Sequence, residues 1–335
     1  MYGRWKNKRW GYYWVVKERM EKIMFPEIKK KFLEKGLVVE SIKKLKVGTS
    51  RNSYLITTKD KKYILKLYDK GKLKEIQRKI NYLRKINAKK EITVNPINSK
   101  VMEFGKFVGY FYGFFEGIHY RYAKLSRKFF KFGEIVGEFS KQTKNIIPVT
   151  KSNSREKRKI KESLKIIKFF EEKNDKKVVE LMKQGLLYLK NLDKYRSQLI
   201  HGDLHFDNVL YNEKTKEFRI IDVDGIGRGV VPREVLVMPS YAIDKSVSEN
   251  KKIIREMMKG YEFKFKLTRK EKKAIPVLMI LRKNDEITWL VKQFLGKKIN
   301  EKEFNRFLGG SIKQLKIIID QFDILERLFW EPYSA

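Results

Sequence analysis

Apolar residues recur at two different intervals along this chain. From Ile42 to Val47, Tyr54 to Thr58 and Tyr63 to Tyr68 they alternate with polar ones, with a Lys59-Asp60-Lys61-Lys62 turn between the second and third runs. Period two with turn residues between runs predicts three consecutive antiparallel strands. The interval then lengthens. Leu73, Ile76, Ile80, Leu83 and Ile86 follow helical spacing and predict a helix over 72–86. One more strand-like run, Phe107 to Gly117, is aromatic and broken by glycines. Beyond it the period is helical again: Leu125, Phe129, Phe132, Val136 and Phe139, then Ile160, Leu164, Ile167 and Phe170, then a helix over 176–192. A loop is expected around Pro148 to Ser154, and helices return from 250 to 330 through Ile312, Leu315, Ile319, Phe322 and Leu325. Strands first and helices afterwards make an α+β chain.

The helical part is interrupted once, by His201-Gly202-Asp203-Leu204-His205-Phe206-Asp207-Asn208. Two apolar runs follow, Val209 to Tyr211 and Ile220-Ile221, separated by Asn212-Glu213-Lys214-Thr215-Lys216. They predict a hairpin that returns Asp222 to the side of Asn208. Asp203, Asn208 and Asp222 are the inventory of phosphoryl transfer: one carboxylate to orient a hydroxyl, and an amide oxygen with a second carboxylate to hold Mg²⁺. The interval from Asp203 to Asn208 is that of H-R-D-x-x-x-x-N in protein kinases, with Gly202 replacing Arg. Asp, Asn, Gly and His also favour turns for backbone reasons alone, but that does not account for the ordered set.

The same chemistry needs a phosphate-binding partner upstream. Gly48, Thr49, Ser50 and Asn52 lie in the turn after the first strand, where small residues and backbone N–H groups let an anion approach. Lys66 stands in the third strand as Ile64-Leu65-Lys66, the context of the kinase V-A-I-K lysine that contacts the α- and β-phosphates. Glu75 is the sole acidic residue of the 72–86 helix, which makes it the expected ion-pair partner of Lys66; the alternative is a surface pair with Lys79.

Residues 201–224 resemble the catalytic core of the aminoglycoside phosphotransferase and choline kinase-like superfamily, with the bacterial spore-coat kinase-like branch nearest. The resemblance implies a two-lobed protein-kinase-like fold, with a small antiparallel-sheet N-lobe and a mainly helical C-lobe. It implies Asp203 as catalytic base, Asn208 and Asp222 as magnesium ligands, and His201 as a structural residue of the loop. His205 and Asp224 match positions often occupied in the family. Phe114, Phe115 and Glu116 would form the hinge whose backbone binds the adenine edge. The expected division is a basic, aromatic helical extension over 1–39, a nucleotide-binding lobe with hinge over 40–117, and a helical lobe carrying the catalytic loop and acceptor site over 118–335. Glu234 stands where the family often has Asp after Arg, a conservative departure read as structural. The histidine frequent in the first C-lobe helix is replaced here by the Gly137 to Lys141 stretch.

Composition narrows the setting. With 335 residues and 42% apolar content the chain can fill two cores; with no cysteine it has neither disulfides nor thiolate metal sites. No apolar run in the N-terminal region suits a signal peptide or membrane span, so a cytoplasmic location is expected, with peripheral attachment to a membrane or spore coat as the variant. The net charge of +38 attracts polyanions. Tyr2, Trp5, Trp10, Tyr12, Tyr13, Trp14 and Phe25, interleaved with Arg and Lys, suit an anionic membrane surface, a nucleic-acid surface, or packing of a helix on its own lobe. Nucleic acid is the less favoured partner. The segment Gly225 to Glu234 leaves no room for a protein-kinase activation loop, which favours small-molecule or saccharide acceptors. The expected function is therefore transfer of the γ-phosphate of ATP, with Mg²⁺, to a hydroxyl acceptor. The second reading is a pseudokinase scaffold binding nucleotide and polyanionic partners.

Overall fold

The computed structural model describes residues 24–45, 53–148, 150–152, 154–189, 195–242 and 247–330. The chain divides into two compact units, Met1–Glu116 and Gly117–Ala335.

The first unit is built on a five-stranded antiparallel sheet in the order β1-β2-β3-β5-β4: β1 (Val39–Lys44), β2 (Ser53–Thr58), β3 (Lys62–Asp69), β4 (Met102–Phe104) and β5 (Phe107–Gly113). β2 alternates between half-buried and buried positions. β3, paired on both sides, buries Tyr63 through Lys66 and Leu67 without a break, as a central strand covered on both faces must. A helix over 24–33, α1, lays Met24, Ile28 and Phe32 into a cluster with Tyr54, Ile56, Tyr63, Leu65 and Phe111. Phe32 meets the Phe111 ring at 4.6 Å, and burial of such a side chain contributes about 1.5–3 kcal/mol. The segment expected as an extension therefore supplies part of this core from residue 24 onward. Tyr2 through Trp14, the proposed surface-binding residues, lie outside the described residues. α2 (Leu73–Ile86) buries Ile76, Ile80, Leu83 and Ile86, as its spacing predicts. The first strand ends at Lys44, short of the expected Val47, and residues 46–52 are outside the described set.

The second unit is mainly helical: α3 (Lys128–Thr143), α4 (Ser154–Glu172), α5 (Lys176–Leu187), α6 (Val231–Ala242), α7 (Val247–Lys264), α8 (Arg269–Leu295), α9 (Glu301–Asp320) and α10 (Phe322–Trp330). α3 and α7 approach closely because both carry glycine at the crossing: a Cβ on Gly133 would stand 2.0 Å from the Met257 carbonyl oxygen, and one on Gly260 1.9 Å from that of Phe130. α8 starts on a capping box in which Thr268 and Glu271 satisfy each other's backbone N–H groups. Two small sheets complete the unit. β9 (Val209–Tyr211) and β10 (Phe218–Ile220) form the predicted hairpin, joined by β6 (Ile118–His119); β8 (Tyr195–Ile200) lies between β7 (Thr150–Ser152) and β11 (Gly227–Val230). β7 corrects the loop expected over 148–154, since Thr150 to Ser152 pair with Ser197 to Tyr195. On α4 the buried line is Ser163, Ile166, Ile167 and Phe170, and Leu164 is half exposed, one step off the predicted stripe. Among the described residues no helix is long and apolar enough to cross a membrane.

Candidate active site

β8 is buried from Ser197 to Ile200 and delivers the chain to His201. The direction then reverses at Gly202, whose φ of +79° is a conformation that L side chains rarely adopt. Glu234, buried in α6, fixes this corner: its Oε2 accepts the backbone N–H groups of His201 at 2.6 Å and Gly202 at 3.4 Å. His201 is fully buried, with Nε2 3.0 Å from the Ile221 carbonyl oxygen and its ring 6.0 Å from Phe139 in an edge-to-face arrangement. In return, Ile221 N–H donates to the Asn208 carbonyl at 2.9 Å. Two hydrogen bonds thus tie the start and end of the loop to the residue immediately before Asp222. Asp222 is exposed and itself left-handed at φ 53°, and Asp224 is half-buried in the 3-10 turn Val223–Gly225.

Within the loop the Asn208 amide is oriented by its hydrogen bond to the Asp203 carbonyl. Nδ2 donates to the Asp203 carbonyl at 2.8 Å and lies 3.1 Å from His205 Nε2. Its Oδ1 accepts no hydrogen bond among the described residues, so the loop presents the oxygen that a hard cation would take. Asn208 and Asp222 are the residue types that would hold a divalent ion here, as a partial set. Among the described residues no group of three or more His, Cys, Asp or Glu is arranged to hold a metal. Mg²⁺ habitually takes one or two protein ligands and completes its shell with substrate phosphates and water. Asp203 is 44% exposed, and its carboxylate accepts from the Arg282 guanidinium of α8. Asp207 is bonded to Arg121 at 2.6 Å, and its carbonyl oxygen lies 2.8 Å from His119 Nδ1.

Burial sets the electrostatics of the loop. It lowers the pKa of His205 from the ordinary histidine value, against the opposing pull of Asp203 and Asp207, which favours the neutral ring, and its Nδ1 accepts the Asp207 backbone N–H at 3.3 Å. It pushes Glu234 up to about 7, opposed by the two backbone N–H groups and Arg155. Arg155 is lowered, first by burial and then by its neighbour Arg233. Arg233 pairs with Asp285 at 2.9 Å, both buried.

The remaining predicted residues belong to the first unit. Lys66 is buried in β3, opposite Ser53 and Tyr110 in its two neighbouring strands. Glu75 bonds Lys79 at 2.8 Å, which corrects the expected pairing with Lys66: one helical turn separates the two, and Lys79 is itself buried and brings its charge to within reach. This contact holds the Glu75 carboxyl below its usual value. Gly48, Thr49, Ser50 and Asn52 lie outside the described residues. Phe114, 45% exposed, donates its N–H to the Lys62 carbonyl at 2.9 Å; Phe115 is half-buried, Glu116 is exposed, and the unit ends there.

Sequence reasoning missed Arg282 and Arg121. Their contacts with the loop are long-range, and no local spacing encodes them. A partial signal exists in Arg282-Lys283-Asn284-Asp285-Glu286, five polar residues in succession between the apolar run Ala274 to Leu281 and the largely apolar run Ile287 to Val291. Such a run reaches every helical face, so some of it must be buried and paired.

Comparison with known proteins bears on this geometry. The family model described as "Phosphotransferase enzyme family" matches residues 41–231, more than half of the chain. A search of curated proteins finds no match. Among solved structures, a spectinomycin phosphotransferase in complex with ADP and spectinomycin aligns at 14% identity and TM-score 0.59, over 84% of this chain and 94% of that one. An amicoumacin kinase in complex with AMP-PNP and Ca²⁺ aligns at 17% and 0.60, over 88% and 93%. A choline kinase from Streptococcus pneumoniae aligns at 18% and 0.58, over 88% and 99%. At these identities the likeness is one of fold, and it is the kinase-like α+β fold.

Proposed function

The chain belongs to the phosphotransferase enzyme family, and on that ground we propose that it moves the γ-phosphate of ATP, with Mg²⁺, to a hydroxyl of a small-molecule, saccharide or lipid-linked acceptor. The observation that carries this reading is the stitched loop: Asn208 bonded to the Asp203 carbonyl, and Ile221 bonded to both His201 and Asn208, with Asp222 next in the chain.

In the reaction, the acceptor oxygen forms a bond to the γ-phosphorus while the bond to the β,γ-bridging oxygen breaks. ADP leaves, and the hydroxyl proton passes to Asp203 or through it to solvent. Asp203 orients the hydroxyl, and Asn208 and Asp222 hold the metal. Bound Mg²⁺ would supply neutralisation of the phosphate charge. Lys66 and the Gly48 to Asn52 turn would contact the phosphates, with Phe114 to Glu116 at the adenine and Glu75 on the adjoining helix. Catalysis of this kind is mainly positioning and electrostatic stabilisation.

The net charge of +38 favours an anionic acceptor over a polycation such as an aminoglycoside. The sequence resemblance supports a narrower setting, spore coat or envelope assembly in a bacterium. A screen of phosphate transfer from γ-labelled ATP tests the reading, with sugars, sugar phosphates, lipid-linked saccharides and choline-like alcohols as acceptors. Metal-dependent labelling of at least one hydroxyl compound is expected. Tight ATP binding with no labelling of any acceptor would favour the scaffold instead.

A further inference from the structure

Arg155, the second residue of α4, is half-buried and reaches the corner that precedes Asp203. Its guanidinium lies against two glycines, one just past β8 and one inside β11. A Cβ on Gly202 would stand 3.5 Å from Nη2, and one on Gly229 3.4 Å from Nη1. Nη1 also donates to the Arg228 carbonyl at 3.4 Å. Gly202 is the position at which protein kinases carry the arginine of H-R-D. The loop of this chain lacks that arginine, and a guanidinium from α4 comes into contact range of the same residue.

The charges around it give this placement a purpose. Glu234 holds the corner through Oε2, while its Oε1, like Oε1 of Glu156, is buried without a hydrogen-bond partner among the described residues. Burial raises the Glu234 carboxyl; of the charges acting on it Arg155 has the largest effect, and in the opposite sense. An ionised carboxylate holds backbone N–H groups more strongly than a neutral one. Glu156, Asp285 and Glu234 in turn favour the charged guanidinium, against burial and Arg233.

We propose that Arg155 is a positioning residue for phosphate transfer: its guanidinium, set against Gly202 and Gly229, balances the Glu234 carboxylate that holds the corner, and so fixes how the loop presents Asp203. The inference deepens the phosphotransferase reading and rests on it for the role of Asp203.

Two measurements on the full chain near neutral pH test it: hydrogen exchange of peptides spanning 200–204, and release of the γ-phosphate from labelled Mg·ATP to water or to the best acceptor of the screen above. In Arg155→Met the backbone amides of the corner should exchange about tenfold faster, as expected when a charge-assisted hydrogen bond is weakened, with α9 peptides unchanged. The same variant should lose about tenfold in kcat with the KM for ATP held. Arg155→Lys, which keeps the charge, should restore most of both losses. Arg158→Met, 69% exposed on the same helix, should match the wild type. Thermal melts establish that each variant is folded, and Arg155→Gln replaces Arg155→Met if the latter is not. The proposal is overturned if exchange at the corner is unchanged without the Arg155 charge, if kcat is unchanged in an active enzyme, or if Arg155→Lys restores neither. The two readings fail separately. A wild type that never releases the γ-phosphate, with the corner still loosened in Arg155→Met, sinks the phosphotransferase reading and supports the hold of Arg155 on the corner. An active wild type whose corner is indifferent to Arg155 sinks this inference only.

Discussion

Asn208 is held by the loop itself, and the proposed role in metal binding can be tested at this one side chain. Its Nδ2 donates to the Asp203 carbonyl at 2.8 Å, so a flipped amide would set two oxygens against each other, and Oδ1 is the atom presented. Asn208→Ala is expected to raise the Mg²⁺ concentration for half-maximal turnover by at least about tenfold, since even groups that merely support a metal ligand are worth that much. Asn208→Asp should keep most of the affinity. A metal titration of ATP turnover checks both, and an unchanged requirement in Asn208→Ala would remove the residue from the site. The turn holding Asp203 and Asn208 and the hairpin leading to Asp222 were legible in the sequence because an eight-residue motif and two short apolar runs encode them locally. Arg282 was not, because it reaches the same carboxylate from a helix far along the chain.

At the scale of elements, the corner between β8 and the catalytic loop rests on the α6 residue Glu234, whose burial raises its carboxyl to about 7. In the unfolded chain that group titrates near the ordinary glutamate value, so between about 4.5 and about 7 the folded state binds more protons than the unfolded one. Its contribution to stability is therefore fully present at acid pH and is lost as pH rises through about 7, a change on the order of 3 kcal/mol. Glu234→Gln keeps an oxygen for the His201 and Gly202 N–H groups but cannot ionise. Across pH 5 to 8, denaturant melts should show the wild type losing stability relative to Glu234→Gln, with the difference levelling off above neutrality. A constant offset between the two would contradict the raised value. The elements themselves were readable to different extents. The 72–86 helix follows its apolar period almost residue for residue, and the hairpin forms where expected, though its second strand is Phe218–Ile220 rather than Ile220-Ile221. β7 did not, because Thr150-Lys151-Ser152 has no apolar alternation and is a strand by virtue of its pairing with β8. Glu75 likewise took the partner one turn away on its own helix.

For the whole molecule, the resemblance implied an antiparallel-sheet part followed by a mainly helical one, and the α+β architecture has that order. The net charge of +38 carries information about encounter rather than about fold, and it is spread over many helices rather than gathered in one segment. The Arg282 contact brings that general bias to one atom pair beside the proposed chemistry. In the proposed reaction Asp203 serves phosphate transfer from ATP. This role is tested most directly by comparing turnover of γ-labelled ATP in the wild type and in Asp203→Asn, with nucleotide binding followed in the same samples by thermal shift. Metal-dependent transfer by the wild type is expected, with a fall of about 10²–10⁴ in kcat for the variant and nucleotide binding retained. Equal turnover by the two proteins, or a wild type that binds ATP and Mg²⁺ yet never releases the γ-phosphate to a hydroxyl, would contradict it.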